Sequence, residues 1–164
     1  MGRRRLFGAL GGSLAASLIA PRAIAGSVEC EAMLLNCIDP SVKNNDARYM
    51  AANGMTDHYS QFVIAGGPIG VMSPRFASWH ATYWDNLEIT PQLHRIKRVV
   101  AFTHRDCGAA TLAFGAAAVA TRDAETAAHA DVLRSFAAEV HRRKPSLVVV
   151  TGIMDLNGSI ELVS

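Results

Sequence analysis

The sequence predicts an α/β fold: a mostly parallel β-sheet flanked by helices, with an antiparallel C-terminal edge. Three observations carry that expectation. Residues 32–38, 61–65, 98–103 and 147–150 form short, continuous apolar runs, the mark of strands buried on both faces. Segments of helical composition separate these runs, so successive strands run parallel through crossovers. Asn157-Gly158 stands just ahead of a last short run at 159–163, and that pair is a hairpin signal that turns the chain back.

Taken in order, residues 32–38 make a first buried strand, and residues 46–53 have helical composition ended by Gly54. The strand at 61–65 is halted by Gly66-Gly67-Pro68. From Pro74 to about His94 apolar side chains recur at helical spacing (Phe76, Trp79, Tyr83, Trp84, Leu87), and Pro91 is expected to kink or divide that helix. Residues 98–103 form the third strand. Helices are expected over 107–120 and 122–143, the latter with Val132, Phe136 and Val140 on one face, before the strand at 147–150.

The N-terminus has the makings of a targeting segment. Arg3-Arg4-Arg5 precede an apolar Gly/Ala-rich stretch from Leu6 to Ala20, and Ala23-Ile24-Ala25 is a small-x-small cleavage site. Arg4-Arg5-Leu6-Phe7 resembles the Arg-Arg-x-Phe core of twin-arginine export signals. Residues 1–25 are thus expected to be a signal peptide removed on export to the periplasm, leaving one domain over 26–164. The apolar stretch is shorter than the roughly 20 residues of a spanning helix, which argues against stable membrane insertion after cleavage; a retained anchor is the alternative.

Charge narrows the partners. The chain has 16 Lys and Arg against 14 Asp and Glu. Arg3, Arg4, Arg5 and Arg22 all lie in the leader, where no acidic residue stands, so the remainder is mildly acidic. Nucleic acid and anionic lipid need a concentrated basic surface and are excluded as expected partners.

In sheets of this kind chemistry gathers at the carboxyl ends of strands. Those ends carry Cys37 and Asp39, Gly66 and Gly67, and His104 and Cys107. Two thiolates and an imidazole suit Zn2+, and His-x-x-Cys at a strand-to-helix turn lets two ligands converge on one ion. A helix starting at Cys107 is expected to lower that thiol's pKa. On residue types alone, inert core thiols remain open, as does a disulfide between Cys37 and either Cys30 or Cys107.

Cys37-Ile38-Asp39, Phe62-Val-Ile-Ala-Gly-Gly67, His104-Arg-Asp-Cys-Gly108 and Val148-Val-Val-Thr-Gly-Ile-Met-Asp155 occur in this order over most of residues 30–163. Together they resemble a β-class carbonic anhydrase. The resemblance implies that Cys37, His104 and Cys107 bind zinc, with Asp39 beside it as the catalytic carboxylate and Gly66 and Gly67 near the substrate pocket. It further implies reversible hydration of CO2 to bicarbonate by a zinc-bound hydroxide, in a homodimer or higher homo-oligomer with the active site near the interface.

One position departs from that pattern. The family motif is Cys-x-Asp-x-Arg, whereas this chain has Cys37-Ile38-Asp39-Pro40-Ser41. A serine lacks the charge and the bidentate fork with which arginine holds a carboxylate. The expectation is that Asp39, unless Lys43, Arg48 or Arg105 restrains it, swings onto zinc as a fourth ligand and reduces activity. Two alternative functions stand beside the first: a non-catalytic zinc-binding protein closed by Asp39, or a hydrolase of carbonyl sulfide or carbon disulfide on the same fold. The aromatic residues at 76–84 are expected in core packing, and His58 or His80 as a candidate proton shuttle.

Overall fold

The computed structural model describes residues 28–164, so the expected signal peptide at 1–25 lies outside the described residues. Five strands form one sheet: β1 (Ala32–Asn36), β2 (Tyr59–Val63), β3 (Arg98–His104), β4 (Val148–Met154) and β5 (Ile160–Val163). Their order is β2-β1-β3-β4-β5. All neighbours pair in parallel except β4 and β5, which are antiparallel. The sheet therefore has the mostly parallel form, with a reversed C-terminal edge, that the apolar runs and Asn157-Gly158 predict.

Alternation within the central strands divides the core into two layers. Ala32 and Leu34 of β1 and Val100 and Phe102 of β3 face one side, with Met50, Ile69 and Met154. Met33, Leu35, Val99 and Ala101 face the other, where they meet Tyr83, Trp84, Leu87, Phe136 and Val140. Both faces are covered, which is why the strands read as unbroken apolar runs. The aromatic residues do the core packing expected of them: the Tyr83 ring lies 5.3 Å from Phe62 and 5.7 Å from Phe136.

Five α-helices connect the strands among the described residues: α1 (Lys43–Ala52), α2 (Pro68–Met72), α3 (Ala77–His94), α4 (Gly108–Phe114) and α5 (Arg122–Arg143). Of the kink or division expected at Pro91, the division of α3 does not occur. A proline removes one donor and so breaks a single helical bond; the helix continues to His94, where Arg95 turns left-handed at φ 52° and its N–H bonds the Pro91 carbonyl at 2.9 Å. The helix expected over 107–120 breaks instead at Gly115 (φ 86°), beyond which Ala116–Val119 form a 3-10 turn. Helix α5 is capped by the Thr121 hydroxyl, which accepts from Ala124 N–H at 3.2 Å. Among the described residues no helix is long and apolar enough to cross a membrane.

Candidate metal centre

Strands β1 and β3 are adjacent and parallel, so their carboxyl ends open at the same edge of the sheet. Cys37 comes directly after β1, His104 is the last residue of β3, and Cys107 caps the start of α4. Cys37 Sγ, Cys107 Sγ and a His104 ring nitrogen all lie within 4.8 Å of one another, and all three residues are buried. This is the spacing at which three donors share one ion.

The orientation of His104 is set by its neighbour. Nδ1 lies 2.8 Å from the Arg105 carbonyl oxygen; a carbonyl only accepts, so Nδ1 carries the proton and Nε2 keeps its lone pair. His104 Nε2 is buried without a hydrogen-bond partner. A buried ring nitrogen without a partner, in a cluster with two sulfurs, is costly unless a cation takes it, so the donor set fits Zn2+.

Cys107 beside Cys37, with Gly66 N–H at 3.2 Å from Cys37 Sγ, holds the Cys37 pKa down. The neighbouring Cys37 sulfur, together with burial, pushes the Cys107 thiol up. The expected lowering by the helix start is present, through the Ala110 and Ala109 amides, but it is outweighed. Burial pulls His104 down, yet the Cys37 thiolate beside it raises it on balance. All three cysteines are free, so neither disulfide alternative forms; Cys30 is buried apart from the cluster, its thiol near the Val28 carbonyl.

Asp39 stands outside this set of three. Its Oδ1 accepts the Ser41 hydroxyl at 2.6 Å and the Ser41 N–H at 2.9 Å. Those two bonds hold its pKa below the usual carboxylate range. Both donors at position 41 thus meet one Asp39 oxygen. Of the three candidate cations, Arg105 is engaged by Glu125 and Glu161, and Arg48 donates to Asn45. Lys43 lines a hollow of about 280 Å³ together with Cys37, Ile38, Asp39 and Gln61.

A second hollow, of about 310 Å³, opens on both sulfur-bearing residues. It is lined by Cys37, Cys107, Asp39, Ile38, Ala65 and Ala109 among others, so its walls are apolar apart from the Asp39 carboxylate. Gly66 and Gly67 do not line it; they act beneath it. Gly66 (φ 77°) aims its N–H at Cys37, and an added Cβ would lie 2.9 Å from Ala109 Cβ. At Gly67 (φ 54°) an added Cβ would lie 2.9 Å from the Phe102 carbonyl oxygen, closer than Cβ atoms approach.

Composition did not reveal several polar residues near the site. Asp46 is 2% exposed; its Oδ2 accepts Asn36 Nδ2 at 2.6 Å, and Asn36 Oδ1 accepts Gln61 Nε2 at 3.1 Å. Burial raises Asp46 to about 6. The signal for it was present as a buried stripe at helical spacing: Val42, Asp46, Met50. His129 on α5 is fully buried without a partner for either ring nitrogen, and burial with the nearby Arg105 and His104 lowers it to about 4.

No protein-family model matches the sequence. An uncharacterized protein of Rickettsia conorii is 30% identical over 133 residues, spanning 81% of this chain and 72% of that one. An uncharacterized protein of Rickettsia bellii is 28% identical over 133 residues, 81% of each. Among solved structures, a Coccomyxa β-carbonic anhydrase in complex with acetazolamide superposes with a TM-score of 0.59 at 15% identity, covering 85% of this chain and 74% of that one. One of two tetrameric β-carbonic anhydrases from Sordaria macrospora gives 0.58 at 14%, covering 85% and 83%. A carbonic anhydrase from Streptococcus mutans gives 0.57 at 17%, covering 84% of each chain. At these identities the likeness is one of fold.

Proposed function

The chain belongs to one protein family with the Rickettsia conorii protein, and from that premise, with a β-carbonic anhydrase fold around Cys37, His104 and Cys107, we propose that it is a zinc enzyme interconverting CO2 and bicarbonate. The observation that carries this reading is the orphaned His104 Nε2 in a cluster with two cysteine sulfurs, at the mouth of a small apolar hollow.

Cys37, His104 and Cys107 would hold the ion through two sulfurs and Nε2. When bound, zinc supplies an acidified water for attack on a small electrophilic carbon. The remaining work falls to the chain. The apolar wall of Ile38, Ala65 and Ala109 suits a nonpolar linear substrate and offers it no competing hydrogen bonds. Asp39 is the acceptor that orients the attacking water. Its Oδ1 accepts from Ser41, which leaves Oδ2 for that bond. In this reading Ser41 takes over, with two neutral donors, part of what an arginine does in the family motif. Residues 1–25 direct export to the periplasm, and the working form is a homodimer or higher oligomer. The basic-apolar leader supports the first of these, and the tetrameric Sordaria macrospora relatives of the fold support the second.

The test is zinc content together with stopped-flow CO2 hydration by the full chain, from about pH 6.5 to about pH 9, the range over which a zinc-bound water ionises. About one zinc per chain, with turnover abolished in Cys107→Ser, is the expected result. Zinc without turnover at any pH would replace this reading with a non-catalytic zinc site, and the same preparation would then be assayed for carbonyl sulfide and carbon disulfide hydrolysis.

A further inference from the structure

The peptide group between Arg105 and Asp106 is hydrogen-bonded at both ends. Its carbonyl oxygen accepts His104 Nδ1–H at 2.8 Å, and its N–H donates to Glu125 Oε1 at 2.8 Å. One rigid amide plane thus links a candidate metal ligand on β3 to a carboxylate on α5. The partners at both ends are buried: His104 is 2% exposed and Glu125 7%.

The rest of the turn is built around the same carboxylate. Glu125 Oε2 accepts Arg105 Nη1 at 3.2 Å, between side chains only 4% and 9% exposed. Arg105 Nη1 also donates to the Arg122 carbonyl at 3.3 Å, and Nη2 to Glu161 at 3.0 Å. Asp106 sits at φ 57°, a left-handed conformation that a residue with a Cβ takes only at a cost. Without an outside anchor the turn would relax, and Glu125 is the side chain that grips both the strained residue's N–H and its neighbour's guanidinium.

We propose that Glu125 is a positioning residue for His104, acting through the Arg105–Asp106 peptide. A negative charge on the N–H side of an amide strengthens its carbonyl as an acceptor, because hydrogen bonds in series polarise one another. The stronger carbonyl fixes the His104 tautomer and ring angle and makes Nε2 a better donor. Metal-binding histidines commonly give their second N–H to a carboxylate directly; here one peptide is interposed. The proposal rests on the reading of Cys37, His104 and Cys107 as zinc ligands.

The experiment compares the full chain with Glu125→Gln, Glu125→Ala and Glu161→Gln, the last of which touches Arg105 but not the peptide. In metal-free protein, proton–nitrogen NMR tracks His104 Nδ1–H; chelator competition then measures zinc affinity. Glu125→Gln is expected to move the Nδ1–H signal upfield, speed its exchange, and weaken zinc by about 10-fold, and Glu125→Ala by up to about 100-fold. Glu161→Gln should leave both readings unchanged. An unmoved Nδ1–H signal in folded Glu125→Gln overturns the proposal, as does an equal effect from Glu161→Gln. If Glu125→Ala fails to fold, Glu125→Gln decides. A wild-type chain that binds no zinc overturns the metal reading, while the metal-free NMR comparison still tests the link from Glu125 to His104.

Discussion

Ser41 gives both its hydroxyl and its backbone N–H to one oxygen of Asp39, at 2.6 and 2.9 Å. Ser41→Ala removes the shorter bond and leaves the backbone one. The Asp39 pKa should rise toward the ordinary carboxylate value, and CO2 hydration should fall on the order of 10-fold, as for other outer partners of a metal site. Carboxylate NMR titration and stopped-flow kinetics read the two effects. A Ser41→Ala chain as active as wild type would separate Asp39 restraint from catalysis. Ser41→Arg, which restores the fork, should equal or exceed the wild-type rate.

Zinc binding should displace about one thiol proton per chain, and a further one as the zinc-bound water ionises between about pH 6.5 and 9. Metal ligands must be deprotonated, and in the metal-free cluster the Cys37 thiol is held low while the Cys107 thiol is pushed up. Calorimetric titration in two buffers of different ionisation enthalpy counts the protons. A count near zero would contradict a protonated Cys107. Bound zinc should also raise Tm with the logarithm of its excess over Kd, and a chelator should reverse the gain.

Glycine is required at one position of the site and dispensable at another. Gly67→Ala would place a Cβ 2.9 Å from the Phe102 carbonyl at φ 54°, forcing β1 and β3 apart. Backbone strain plus overpacking should cost roughly 2–4 kcal/mol in urea denaturation. Gly108→Ala meets nothing within 4 Å and should stay within about 0.5 kcal/mol of wild type. Equal stability for the two variants would refute the assigned close approach.

Two buried groups pull stability in opposite directions as pH falls. His129 drops to about 4 in the fold, so between the ordinary 6.5 and 4 the unfolded chain takes up a proton that the folded chain refuses. That disfavours folding on acidification by up to about 3 kcal/mol. Asp46 rises to about 6, so between 6 and its ordinary value near 4 the folded chain binds the extra proton. That favours folding on acidification by a similar amount, about 3 kcal/mol. The wild-type chain should show little slope from these two groups between about pH 4 and 6. His129→Leu should become relatively more stable toward pH 4, and Asp46→Asn relatively less. Parallel pH profiles for both variants would remove these residues from the acid response.

The elements that were legible in the sequence are those whose environment is uniform along the chain. β1 and β3 are buried on both faces, so their apolar runs name them, and Cys37, His104 and Cys107 are found simply by looking at the carboxyl ends of those two runs. α2 escaped because five residues containing a proline and a glycine carry no helical period. The reach of β4 to Met154 escaped because Thr151 and Gly152 interrupt its apolar run, although Gly152 is required where an added Cβ would lie 2.7 Å from Ile160. Glu125 and His129 escaped for a different reason: they reach the site from α5, and the rotation of a helix about its axis is fixed by packing against β4 and α2 rather than by its own composition.

The parallel pairing of β1 with β3 also has a kinetic consequence. His104 and Cys107 belong to a single turn and find each other early, whereas Cys37 joins them only once β1 has docked beside β3 across the whole of α1, β2, α2 and α3. Contacts this distant in sequence form slowly. A metal held by all three residues would therefore depend on that strand pair staying zipped, and its residence time should lengthen with global stability even where the ligands are untouched.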